Sequence, residues 1–482
     1  MLLIAWCGFL FLYGLDAGPL YRTESLRAII GRECLHGHWL FPVLYGEPFL
    51  TKPPGHYAAI AVCSLLPGDV SAATARLPSV IAATAAVLLM YGLFRCVLGT
   101  TAGLLIGLIL PTSVLWLDKV PSAEIDMTLV GWVTAAMVFF HRSIRSPARV
   151  SASCLTLSLL CVAGGTLTKW TAPAFFYLTV VPLLAWRGEL RILFGWRHGL
   201  ALATAAATCS LWVMAVTHEI GWAMLIETVH REAAYRFAPR ASSGGYPWSG
   251  AAGYPLLVLA AHLPLSLLAL RTLRPGFAAQ WDERGKLLLQ LLHCWTWPNL
   301  LFWSLVPNHN VRYLLPMSPG LMGLGVMGLL GLLPRVTRFG PVLSLQGRSK
   351  QAMVAFLVFW ICAKIAFVEL VVPRRTASHD PVPIAARLRE LVPADHTLSL
   401  CRVKDEGVMF YYARPVIRLK SPLEVPAGGY AILMQEEWAG CPEGAGFEVA
   451  ATLRDQQGAP LILVMRISRE NRAIDFSPGP GP

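Results

Sequence analysis

Short polar stretches interrupt an otherwise apolar chain, and their residue types could do chemistry. "YRTESLRA" sets Glu24 between Arg22 and Arg27, "FLTKPPGHY" presents Lys52 just before Pro53 and Pro54, and "KVPSAEIDMTL" carries Glu124 and Asp126. Lys169 in "GGTLTKWTAP", Arg231 in "HREAAYRFAPR", and His309, Arg312 and Tyr313 in "PNHNVRY" add cations and a phenol. A carboxylate at the mouth of a cavity can take the proton of an acceptor hydroxyl. A group of cations can hold a phosphate or diphosphate, and two prolines restrict the backbone that presents Lys52. Each residue also has a plainer reading. Glu24 between arginines can be a structural ion pair, Glu124 can cap a helix, and interfacial lysines and arginines can snorkel to headgroups. Glu124 and Asp126, two residues apart on a helix, would face different sides rather than work as a close pair.

The elements that must position these groups follow from composition. Of 482 residues 55% are hydrophobic and only 14% charged, whereas soluble chains carry nearer a quarter charged residues. The expected fold is a polytopic α-helical membrane protein. Apolar runs at 1–15, 78–97, 100–117, 125–140, 151–167, 171–186, 199–216, 253–270, 287–306, 313–333 and 352–372 give about 11 spans, within a range of roughly 10 to 13. The first has no basic n-region or small-residue cleavage site and reads as a retained helix. Basic residues in short loops set the orientation. With the amino terminus cytoplasmic, Arg95, the 142–149 and 187–197 arginines, Arg271 to Lys286, and Arg335 to Lys350 all fall inside. The formal charge of +12 is then mainly topogenic, and nucleic acid is not an expected partner.

That frame makes 16–76 a long external loop, 217–252 a second one, and the carboxyl-terminal segment external. In the first loop, 25–35 and 55–66 have the spacing of amphipathic helices lying on the membrane surface. The spanning domain is expected over 1–372, a small α/β domain with short β-prone runs over 373–467, and a disordered tail over 468–482. The eleven cysteines include no CxxC pair. Cys401 and Cys441, both in the external domain, are placed where an oxidising compartment would allow a disulfide. Cys34, His36 and His38 match no strong ligand spacing. Walker A and GxSxG sequences are missing, so nucleotide-driven transport and serine hydrolysis lack support.

The order of these features resembles the GT-C membrane glycosyltransferases related to bacterial lipid A aminoarabinose transferases and protein O-mannosyltransferases. The run "TESLRAIIGRECLHGHWLFPVLYGEPFLTKPPGHY" carries Arg32, Glu33, Leu35, Gly37, Trp39, Pro42, Gly46, Lys52, Pro53 and Pro54 in the family's order. "ARLPSV", "IDM", "LTK" and "RYLLPMSP" extend the likeness over about residues 1–370. The resemblance implies transfer of a hexosyl or pentosyl group from a polyprenyl (undecaprenyl) phosphate donor to a hydroxyl of a lipid, glycan or protein. The reaction would occur at the external face of a bacterial inner membrane, with inversion. It implies that Lys52, with Arg231, His309 and Arg312, holds the donor phosphate, and that an acidic residue acts as base. Arg27, Glu124, Lys169 and Tyr313 are further pocket candidates.

One departure stands out. Where the family has Asp then Glu, this chain has Thr23 then Glu24. Either Glu24 or Asp126 takes the catalytic role, or the transferase is impaired. Some family members carry "EKPP", whose glutamate can join a metal site; Thr51 stands there instead, so no cofactor is required and a divalent metal is disfavoured. The alternative from another class is a flippase or transporter of lipid-linked saccharides, but the polar groups gather on one face without the paired repeats common in transporters. A structural scaffold would not need the clustered charges of the first loop.

Overall fold

The computed structural model describes residues 1–145, 150–237, 246–332, 348–377, 379–442, 446–455 and 458–467. The expected disordered tail and the loop residues Arg149, Arg335 and Arg338 lie outside the described residues. Each apolar run expected to span coincides at least in part with helix. By length and composition four helices could cross a membrane among the described residues: Ala72–Leu98, Trp196–Ile220, Val311–Leu330 and Gln351–Ala377. Shorter apolar helices include Leu2–Leu12, Ala152–Thr166 and Ala172–Arg187.

The expected eighth span, 253–270, is not one straight helix. Trp248–Ala260 and Leu265–Arg271 meet at 105°, with Pro264, which cannot donate a backbone hydrogen bond, at the corner. The second piece lies across helix Ser318–Leu330 at Gly325 and Gly328. A Cβ on Gly328 would sit 2.1 Å from the Leu268 carbonyl oxygen, so only glycine permits this approach.

The first loop holds two helices, Thr23–Leu35 and Gly55–Ser64, joined through a short hairpin of β1 (Val43–Leu44) and β2 (Glu47–Pro48). Its end is fixed by a capping box at Ser71 and Thr74: the Thr74 amide donates to Ser71 Oγ at 3.2 Å and the Ser71 amide donates to Thr74 Oγ1 at 2.9 Å. Between these points the lysine-proline corner is anchored, because the Gly55 amide donates to the Leu167 carbonyl at 2.8 Å. A Cβ at Gly55 would come within 2.8 Å of that same oxygen and 2.9 Å of Thr168 Oγ1. Gly55→Val is therefore expected to destabilise the protein by about 1–3 kcal/mol through overpacking, measured as a lower midpoint of thermal unfolding.

The chain ends in a mixed sheet in the order β4-β3-β5-β7-β6, from β3 (Leu398–Leu400), β4 (Val416–Arg418), β5 (Tyr430–Met434), β6 (Phe447–Arg454) and β7 (Pro460–Arg466). β3 runs parallel to β4 and β5, and β7 is antiparallel to both β5 and β6. The domain does not hang free. Ile29, Ile30, Tyr57 and Ile60 of the first loop share one apolar core with Leu388, Leu400, Val408 and Phe410. Arg32 sits in this seam, its guanidinium 4.4 Å from the Phe410 ring centre and its Nε donating to Asp69 at 2.7 Å. Cys401 and Cys441 pack in the same small cluster but are separate thiols, and burial pushes the Cys401 thiol up to about 11.

Candidate active site

The residues after the first helix are wound around one arginine. Arg76, at the start of Ala72–Leu98, is buried; its Nη1 donates to the carbonyls of Leu15 at 2.9 Å, Gly18 at 3.3 Å and Ala17 at 3.4 Å. Its Nη2 reaches the Pro19 carbonyl at 3.3 Å, and Nε and Nη2 clasp the two Glu24 oxygens at 3.0 and 3.2 Å. Glu24 Oε1 also accepts from the Ala123 amide at 2.8 Å. Such a fork of charge-assisted bonds fixes geometry as well as energy. Glu24 is thus committed to structure, tying the first loop to the segment that precedes helix Ile125–Ser143.

That segment delivers Glu124. Its Oε1 accepts from Thr23 Oγ1 at 2.6 Å and from Arg312 Nη1 at 2.8 Å, while Arg27 Nη1 lies 2.7 Å from Oε2. The position where a carboxylate was expected holds Thr23, and the carboxylate in contact with it comes from a distant part of the chain. Arg312 also has its Nε 3.9 Å from Asp126 Oδ2. Beyond it Asp126 pairs with Lys169, whose Nζ lies 4.9 Å from the Tyr313 ring centre, and Lys52 pairs with Glu232. Against the expectation that Glu124 and Asp126 face different sides of a helix, Glu124 precedes helix Ile125–Ser143 in an extended conformation, and both carboxylates face Arg312.

A cavity of about 590 Å³ opens beside this cluster, lined among others by Arg22, Thr23, Glu24, Glu124, Arg312 and Lys364. Of the residues singled out from sequence, Glu24, Glu124 and Arg312 line it. Arg27 is buried behind Glu124; Asp126, Lys169 and Tyr313 form the adjoining chain of ion pairs and ring contacts, and Lys52 pairs separately with Glu232. Two candidates stand apart. Arg231 is exposed and makes no ion pair among the described residues, because on helix Trp222–Phe237 the next residue, Glu232, is the one turned inward to Lys52. His309 donates from Nε2 to the Ser304 carbonyl at 2.8 Å and packs 4.9 Å from the Tyr254 ring, a brace for the turn rather than a wall of the cavity.

Arg76, Glu232 and Lys364 were missed. Arg76 belongs to the "ARLPSV" run, which carries a usable signal; Glu232 directly follows Arg231; Lys364 is a cation within an apolar helix. His56, fully buried on Gly55–Ser64, meets Thr128 Oγ1 at 2.8 Å. Burial, with Arg27 nearby, lowers it from 6.5 to about 3, so the fold holds the neutral ring while the unfolded chain protonates first. The stability it contributes is complete above 6.5 and is lost as pH falls towards 3. Thermal midpoints recorded down this window should fall, and His56→Gln, which keeps a polar partner for Thr128 but does not titrate, should flatten the dependence.

Residues 51–215, a stretch that takes in Lys52, Arg76, Glu124, Asp126 and Lys169, match the family model described as dolichyl-phosphate-mannose-protein mannosyltransferase. The undecaprenyl phosphate-alpha-4-amino-4-deoxy-L-arabinose arabinosyl transferase of Erwinia tasmaniensis is 26% identical over 328 residues, 64% of this chain and 55% of that one. The corresponding protein of Pectobacterium carotovorum subsp. carotovorum is 26% identical over 342 residues, 68% of this chain and 58% of that one. The chain thus spans little more than half the length of these curated relatives. Its similarity to the crystal structure of ArnT from Cupriavidus metallidurans bound to undecaprenyl phosphate is end to end, with a TM-score of 0.73, 15% identity, and coverage of 97% of this chain and 98% of that one. This chain has the ArnT-like GT-C fold. The resemblance carried by the lysine-proline run therefore holds for the fold as a whole, with many helices and a small sheet domain. In this GT-C chain the shared stretch supplies Glu124 and Asp126, the two carboxylates that face Arg312.

Proposed function

We propose that the protein transfers a sugar from a polyprenyl phosphate to an acceptor hydroxyl at the outer face of a bacterial inner membrane, with inversion and without a metal. The observation that carries the reading is the contact of Glu124 with Thr23 at the edge of the cavity, where Arg312 holds the same carboxylate. The acceptor oxygen attacks the anomeric carbon, the bond from that carbon to the phosphate oxygen breaks, and polyprenyl phosphate leaves. Glu124 takes the acceptor proton. The donor phosphate displaces the Glu232 carboxylate from Lys52 and is neutralised by Lys52 and Arg312 as negative charge grows on the leaving oxygen. The names of the curated relatives, with undecaprenyl phosphate in each, support this donor class.

The test is direct. Purified protein with a polyprenyl-phosphate sugar and an acceptor lipid should release polyprenyl phosphate. Lys52→Ala should cut kcat/KM about a hundredfold, in keeping with loss of a charge that acts on the leaving group. Unchanged turnover in this variant sinks the phosphate assignment, and movement of intact lipid-linked sugar across vesicle membranes makes the protein a transporter.

A further inference from the structure

A second cavity lies in the sheet domain. β3 stands between β4 and β5 and is parallel to both, so Leu400, Arg418 and Met434 end on one edge. From β3 the chain leaves through helix Glu406–Tyr412 towards β4 on one side. From β5 it leaves through helix Gln435–Ala439 towards β6 and β7 on the other. Neighbouring strands whose exits diverge leave a crevice outside their carboxyl ends, where open α/β sheets bind ligands. Here the crevice holds about 530 Å³ and is lined by Arg402 and Lys404 just after β3, Arg418 at the end of β4 and Met434 at the end of β5.

The lining carries three cations, Arg402, Lys404 and Arg418, against two carboxylates. Two acids are present, Asp405 and Asp455, but both serve the backbone: Asp405 Oδ1 accepts from the Val408 amide at 3.2 Å and Asp455 Oδ1 from the Ala459 amide at 2.7 Å. Arg402 and Lys404 are exposed. Arg418 is held in place, its Nη2 donating to the Val403 carbonyl at 3.2 Å and its guanidinium 5.1 Å from the Tyr45 ring centre. Its buried Nε has no hydrogen-bond partner among the described residues. The crevice lies near the transfer cavity. A small intermediate cavity of about 120 Å³ shares Lys404 and Asp405 with the crevice, and shares Arg22 and Thr23 with the transfer cavity.

We propose that the strand-end crevice binds an oxyanion, a phosphate or carboxylate carried by a saccharide or a lipid headgroup, and so holds that molecule beside the transfer cavity. The guanidinium forks of Arg402 and Arg418 suit a planar or tetrahedral oxyanion, and Lys404 adds a point charge on the side nearest Thr23. Binding at the crevice does not depend on the transferase reading.

The full chain in phosphatidylcholine nanodiscs is titrated in a calorimeter with inorganic phosphate, glycerol 3-phosphate and a short-chain phosphatidic acid. Saturable binding is expected, weakened about tenfold or more in the Arg402→Ala, Lys404→Ala double variant, since hydrogen bonds to charged groups are worth that much. It should be unchanged in Arg387→Ala, an exposed cation outside the crevice. Binding of phosphatidic acid alone identifies a lipid headgroup as the source, and binding of all three identifies the phosphate group itself. No saturable binding, equal binding by wild type and the double variant, or a comparable loss in Arg387→Ala overturns the proposal. Should the double variant unfold, Lys404→Gln alone is read against the same outcomes.

Discussion

Glu124→Gln is expected to lower kcat for sugar transfer by about 10²- to 10⁴-fold, the range usual for a general base, while donor binding changes little. Glutamine keeps the acceptor oxygen for Thr23 and Arg312, so the local geometry survives and only the proton acceptor is lost. Glu24→Gln is the necessary comparison. Glu24 is clasped by Arg76 and accepts the Ala123 amide, so its loss should show first as a lower thermal midpoint and only secondarily as slower turnover. Release of polyprenyl phosphate, measured under single-turnover conditions in both variants, separates the two. Full activity in Glu124→Gln together with a collapse of activity in a well-folded Glu24→Gln would return the base to Glu24. An Asp126→Asn variant removes the partner of Lys169 without touching the cavity lining and should sit between them.

Replacing Arg76 by methionine should be the most destabilising single change in the first loop. The side chain is only 5% exposed and satisfies four backbone carbonyls and both Glu24 oxygens. Breaking a buried ion pair from one side typically costs about 3–5 kcal/mol, because the remaining charge is stranded. Here the carbonyls of residues 15–19 lose their donors as well. The loop would then no longer hold Thr23 against Glu124, so activity should fall along with stability. Limited proteolysis of the purified variant should cut between residues 15 and 30 at a rate well above wild type. The double variant Arg76→Met, Glu24→Leu should recover part of the stability, because neither charge is then left buried and alone, but should not recover a tied loop. Equal proteolysis rates in wild type and Arg76→Met would show that the first loop is held by its apolar core instead.

Much of this architecture could be read from residue order. The apolar runs located helices because an apolar stretch in a membrane chain has few alternatives: every backbone polar group must find its partner inside the segment. The two helices of the first loop were visible in their spacing, and the family-like run ending in Lys52 pointed to the fold. Span lengths and straightness were less legible. The break at Pro264 depends on how Leu265–Arg271 seats itself on Gly325 and Gly328, a contact with no local signature. Arg231 was preferred to Glu232 on charge alone, although one step along a helix turns a side chain by about 100°.

By itself the sequence determined which residue types were available: three carboxylates in two segments, a lysine on a proline corner, and a threonine where an aspartate was expected. Which neighbours each carboxylate has was decided only by the tertiary structure. Glu24 and Glu124 are the same residue type, and their difference comes from neighbours 52, 101 and 188 residues away. Arg76 takes one into the scaffold. Thr23 and Arg312 hold the other at the cavity. Partners so distant in the chain are brought together by packing of whole helices, and side-chain charge takes its meaning from that packing.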